Sequence, residues 1–136
     1  MERVTWISAG LLLLFVIAGC GSNRQLKSVS LSPASADARN FPNGQVSFIA
    51  TGTFSSPPSP QNLTSNDVFW CVGSSNGDCV GNVNPGASLD QSGMAQCNPG
   101  FAGTATILAG TQSSVMVNPD QGEQLKVFGS AQLTCP

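Results

Sequence analysis

The sequence predicts an all-β domain, and three observations lead there. Charged residues make up only 9% of the 136-residue chain, whereas exposed helical faces are usually furnished with Glu, Lys and Arg. Ser, Thr, Asn, Gly and Pro fill much of the remainder, a composition that favours strands and turns. In "QVSFIATGTF" (45–54), Val46, Phe48, Ala50 and Phe54 share one face and Ser47, Thr51 and Thr53 the other, with Ile49 the one large apolar residue on the outer face. That period of two is the signature of a half-buried strand.

Taken from the N-terminus, the first element is a leader. Met1 to Thr5 carries one basic side chain, Arg3, and an apolar run, "ISAGLLLLFVIA", follows over residues 7–18. As a helix that run spans about 18 Å against a hydrocarbon core of roughly 30 Å, so it suits an export signal better than a permanent span. It ends in Ile17-Ala18-Gly19-Cys20, an aliphatic residue and two small ones before a cysteine, which resembles the lipobox of bacterial lipoproteins. The resemblance implies a signal helix over residues 1–19 that is cut away and a Cys20 that carries a diacylglycerol on its sulfur and acylation on its new amino group. Two or three acyl chains, at about 0.8 kcal/mol per buried methylene, hold a protein on a bilayer stably where one does not. Gly21 stands where the family's inner-membrane retention signal is an Asp, so the implied destination is the outer membrane. Residues 20–24 form a short tether, at most about 17 Å when extended.

Further short apolar runs follow at "QLKSVSLS" (25–32), "DVFWCV" (67–72), "GTATILAG" (103–110) and "LKVFGSAQLTC" (125–135), with weaker strands expected near 81–90 and 93–97. Between them stand Asn43-Gly44, Pro57-Pro58, Asn76-Gly77, Asn84-Pro85-Gly86, Asn98-Pro99-Gly100 and Asn118-Pro119. Proline cannot donate to a ladder, and Gly and Asn accept the positive φ of tight turns, so each cluster interrupts pairing. About seven strands emerge, at the spacing of a β-sandwich. The run "SSPPSPQN" (55–62) reads as a long surface loop.

In their order, "VSLSPASADA", "GQVSFIATGTFS", "VFW", "SGMAQC", "GTATILAG" and "AQLTC" resemble the bacterial immunoglobulin-like domain group 2 over residues 25–136. The resemblance implies a two-sheet Greek-key sandwich with Val46, Phe48, Trp70, Ile107 and Leu133 in its core. Trp70 suits a core plug better than a ligand platform, since a small sandwich depends on such a side chain. The chain departs from the family pattern in its long 55–62 loop and in four further cysteines.

Those cysteines, Cys71, Cys79, Cys97 and Cys135, would be exported with the domain, and an oxidising compartment turns an even set into disulfides. Zinc sites usually need closely spaced cysteine pairs, which are missing. Four cysteines allow three connectivities. The favoured one joins Cys71 to Cys79 across the "VGSSNGD" turn and Cys97 to Cys135, whose sulfur shares the face of Leu133.

The sequence holds no histidine, which removes Ser-His-Asp and Cys-His constellations and histidine metal centres. Its carboxylates after the leader, Asp37, Asp67, Asp78, Asp90, Asp120 and Glu123, show no spacing that argues for a sugar-cleaving pair. "SSNGD" has a faint calcium-loop character but reads better as a hairpin turn. No metal or cofactor is implied. A formal charge of −2 with four Lys or Arg after the leader offers no phosphate-seeking surface, so nucleic acid is not an expected partner. The leading expectation is a non-enzymatic, lipid-anchored envelope protein with one Ig-like domain, contacting the membrane through Cys20 and serving adhesion, envelope structure or protein or glycan binding. The alternatives are a periplasmic or secreted binding protein or inhibitor acting through "SSPPSPQN", and a small carboxylate-dependent hydrolase.

Overall fold

The alternating run at 45–54 sits at the centre of one layer of a two-layer sandwich. The computed structural model describes residues 23–79, 86–112 and 122–136. Among these the strands are β1 (Leu26–Ser32), β2 (Ser35–Asp37), β3 (Gln45–Ser47), β4 (Ile49–Phe54), β5 (Gln61–Asn62), β6 (Phe69–Gly73), β7 (Ala87–Leu89), β8 (Met94–Cys97), β9 (Gly103–Gln112) and β10 (Leu125–Cys135). The expected signal helix, Cys20, Asp120 and the 81–85 part of an expected weak strand lie outside the described residues.

β3 and β4 are two halves of a single run, parted at Phe48, whose N–H donates to the Gly93 carbonyl at 2.9 Å. β1 pairs with one edge of this run, while β8 and the short β5 pair with the other, and β7 continues beyond β8. The second layer runs β2, β10, β9, β6. Only β2 is parallel to its neighbour, with Leu133 opposite Ala36; the chain therefore leaves the first layer after β1 and joins the edge of the second. With β1 and β2 counted as one strand and β3 and β4 as another, and the two-residue β5 set aside, the architecture is a seven-stranded immunoglobulin-like sandwich. The sequence reading placed the long strands and missed β2 and β5. Neither has an apolar alternation of its own, and β5 occupies the end of the stretch taken as pure loop.

Side chains at alternate positions of both layers meet in the middle. Val29, Leu31, Val46, Phe48, Ala50, Trp70, Val72, Ala105, Ile107, Ala109, Ala131 and Leu133 all belong to one buried cluster. The five residues expected as core are all there, with Val46, Phe48, Ile107 and Leu133 among the most completely buried large side chains. Ile49, on the opposite face of its strand, is 51% exposed, as the period of two requires.

Both disulfides form. Cys97–Cys135 ties β8 of one layer to β10 of the other, with Cα atoms 5.7 Å apart. Cys71–Cys79, at 5.6 Å, lies on the outside of the second layer, because Cys71 alternates with the inward Trp70 and Val72. It draws the segment 74–79 back across that face, where the Gly77 carbonyl accepts from the Leu125 N–H at 2.9 Å and the Cys79 N–H donates to Glu123 at 2.8 Å. Beneath this flap Leu108 and Leu125 are buried with Cys79, and Phe69, Cys71 and Phe128 pack against them. Leu108 points away from the main core, so the flap supplies a second, small one.

Candidate functional site

The two ends of the sandwich differ in what they carry. Leu26 lies opposite Phe54 at the start of β1, whereas Cys135 lies opposite Gly103 at the end of β10. β1 and β10 run side by side in the same direction, Gly129 resting against the Val29 carbonyl. One pole therefore holds residues 23–26, the β4–β5 hairpin and the start of β10. The other holds the Cys97–Cys135 bridge, Phe41 and Pro136.

At the first pole residues 23–25 are bound to the hairpin. The Ser55 N–H donates to the Gln25 carbonyl at 2.9 Å, and the Gln25 N–H donates to Ser55 Oγ at 3.0 Å, which extends the β1–β4 pairing past its last strand residue. Ser55 Oγ donates to the Asn23 carbonyl at 3.5 Å. The Arg24 guanidinium lies over the Phe54 ring, 3.6 Å from its centroid. From there it donates to the carbonyls of Ser56, at 3.4 Å, and Pro58, and to Gln61 Oε1 at 2.7 Å. A planar cation with several donors suits this role: its face stacks on an aromatic ring while its edge satisfies carbonyls that a proline-rich turn leaves unpaired. Ser59 Oγ accepts from the Phe54 N–H at 2.9 Å and closes the hairpin from inside. The stretch read as a long surface loop is thus a structured hairpin gripped by Arg24.

The neighbouring turn into β6 is held by Asp67, which accepts from the N–H and the hydroxyl of Thr64, both at 2.8 Å. These bonds hold its carboxyl below the usual aspartate range, the backbone N–H contributing most, with the charge of Arg24 adding to them.

At the far pole Asp37 accepts from the Arg39 N–H at 3.0 Å and from its guanidinium at 2.6 Å, capping a single turn at Ala38–Asn40. Next to it Phe41 is 36% exposed. A shallow hollow of about 220 Å³ lies between Arg39, Phe41, Gln96 and Pro136. That is smaller than the roughly 300–1,000 Å³ of typical small-molecule sites.

Neither pole assembles an acid–base site among the described residues. Each of Asp37, Asp67 and Asp90 serves its own turn, Asp90 accepting from the Ser92 N–H and hydroxyl and the Met94 N–H. No cluster of three or more His, Cys, Asp or Glu that could hold a metal ion occurs among the described residues. "SSNGD" forms a turn, with the Gly77 N–H donating to Ser74 and the Ser74 N–H to Asp78.

No family model and no curated protein matches this chain. Of the site residues named from sequence, both disulfides and the five core positions lie in the sandwich, and Cys20 falls outside the described residues. Sequence reasoning missed Arg24, Phe54 and Ser55. The one available signal was that Arg24 is the first charge after Cys20, and it says nothing about a partner 30 residues away.

Proposed function

We propose that this protein is a lipid-anchored module of the bacterial cell envelope, held by acyl chains on Cys20, with an immunoglobulin-like domain of the group 2 type. Its role is non-enzymatic: adhesion, envelope structure, or binding of an envelope protein or glycan. The destination that fits Gly21 is the outer membrane.

The observation that carries this reading is the chain's course just after the lipobox-like motif. Only three residue steps separate Cys20 from Asn23, whose carbonyl already contacts the sandwich. Lipid on Cys20 would bring one pole of the domain to the bilayer and turn the other, with Phe41 and its hollow, outward. A domain so close to its anchor has little reach, which favours contact with envelope components over use as a stalk. The bonds of Arg24 to Ser56, Pro58 and Gln61 hold the 55–62 hairpin beside the residues that follow Cys20, which supports this reading over a secreted inhibitor whose loop inserts into a partner. The absence of histidine from the sequence and the local employment of Asp37, Asp67 and Asp90 support a non-enzymatic role.

Mass spectrometry of the protein from a membrane fraction tests the anchor. The mature N-terminus should be an acylated Cys20, and Cys20→Ser should leave the protein unprocessed, with Met1 and the leader retained. An unmodified thiol, or an intact Met1 in the wild type, would reject it.

A further inference from the structure

We propose that the hairpin tip, residues 55–60, is the surface on which the sandwich rests against the phospholipid headgroups of the bilayer that holds Cys20, and that Arg24 is the positioning residue that keeps it there. The proposal builds on the lipid-anchor reading and adds the orientation of the domain and the identity of the contact.

Reach keeps the tip near the anchor. Three Cα–Cα steps from Cys20 to Asn23 span at most about 11 Å. Ser55 Oγ lies 3.5 Å from the Asn23 carbonyl, so the tip cannot stand far from an acylated Cys20. Without further contacts such a tether would leave the domain free to tilt; the Arg24 bonds to Ser56, Pro58 and Gln61 tie the tether's direction to that of the hairpin.

Contact with headgroups also removes water from the tip. Pressing a turn into headgroups is unfavourable mainly because backbone donors and acceptors lose hydration. Pro57, Pro58 and Pro60 have no N–H to lose. The carbonyls of Ser56 and Pro58 already accept from Arg24, and Ser59 Oγ is engaged with the Phe54 N–H. Pro57, Pro58, Ser59 and Pro60 are exposed and uncharged, which leaves a neutral tip in which the buried Ser56 Oγ is the side-chain atom without a hydrogen-bond partner among the described residues.

Charge does not drive the contact. At this pole Arg24, Lys27 and Lys126 are matched by Asp67, Asp78 and Glu123 among the described residues. The tip should therefore bind a neutral phosphatidylcholine surface as well as an anionic one.

The test uses the full chain, processed in a lipoprotein-forming bacterium and reconstituted into phosphatidylcholine vesicles carrying a headgroup spin label. Pro57→Trp reports on the tip and Phe41→Trp on the opposite pole, each over the buried Trp70 common to both. The Pro57→Trp variant should lose most of its added fluorescence to the spin label and the Phe41→Trp variant almost none. Adding Arg24→Gln to the Pro57→Trp variant should restore fluorescence without releasing the protein from the vesicles. In wild-type protein in nanodiscs, where no substitution can disturb folding, the same label should broaden the amide signals of Ser55, Ser56 and Ser59 and spare those of Phe41 and Asn43. Equal quenching at both poles, or none at the tip, in protein whose Cys20 is acylated by mass overturns this proposal alone. An unacylated Cys20 overturns the anchor, and this proposal with it.

Discussion

At Gly93 the backbone takes φ +84°, and an added Cβ would lie 2.4 Å from the Phe48 carbonyl and 2.9 Å from Trp70 Cζ2. The residue therefore closes the turn from β7 to β8, receives the Phe48 N–H and leaves room for the indole, three demands that no side chain meets together. Gly93→Ala should cost about 2–4 kcal/mol, strain and overpacking combined. Gly100, at φ +77° with nothing within 4 Å of the same atom, is the control. Gly100→Ala should cost only about 1 kcal/mol, the backbone component alone. Urea unfolding of both variants checks the difference; equal losses would show that crowding against the Phe48 carbonyl and the Trp70 ring is not the cause. Gln91, in the same turn, donates to the Trp70 carbonyl at 3.0 Å and accepts its N–H at 3.1 Å. It thereby satisfies the backbone of β6 on the side where the sheet ends.

The disulfides act on different elements, and their removal should have different consequences. Cys71–Cys79 closes a separation of 8 residues and Cys97–Cys135 one of 38. The chain-entropy argument gives about 2.5 kcal/mol for the first and about 4 kcal/mol for the second. Cys71→Ser with Cys79→Ser should free the 74–79 flap, uncover Leu108 and speed hydrogen exchange locally while β9 and β10 stay protected in the main core. Cys97→Ser with Cys135→Ser should lower the stability of the whole sandwich, since the bridge joins its layers. Hydrogen exchange read alongside urea midpoints separates these outcomes, and a uniform rise in exchange in the first double variant would argue against an independent flap.

For the whole molecule, pH dependence follows from three aspartates. Asp37 is held below the ordinary carboxyl range first by the Arg39 side chain, Asp67 by the Thr64 N–H and Asp90 by the Ser92 hydroxyl. Because folding lowers these values, the stability they contribute is present above the unfolded aspartate value, about 3.9, and is lost as pH falls through the lower folded values. The urea midpoint should be nearly flat from about pH 7 to 5 and decline below about pH 4. No histidine is present to add a step near neutrality. A maximum in stability below about pH 4 would contradict the assignment of these bonds. The sandwich is polar as a whole: Arg24 grips the 55–62 hairpin at one pole, while the layer-joining disulfide and the exposed Phe41 lie at the other.

What the sequence determined by itself is what nearest neighbours along the chain dictate. Alternation over 45–54 set the faces of Val46, Phe48 and Ile49, Gly and Pro clusters divided the strands, and the turn between Cys71 and Cys79 was short enough to make their pairing the natural one. The lipobox-like motif was legible for the same reason, being a contiguous pattern. Packing between distant segments fixed that Arg24 grips the 55–62 hairpin, that Leu108 is buried beneath a flap on the outer face, and which pole holds residues 23–26. These depend on registers between segments distant in sequence, such as Leu26 against Phe54 and Phe128 against Gly110. A shift of one residue would turn each of those side chains to the opposite face. Local periodicity gives a strand its two faces; the packing of the layers decides what each face meets.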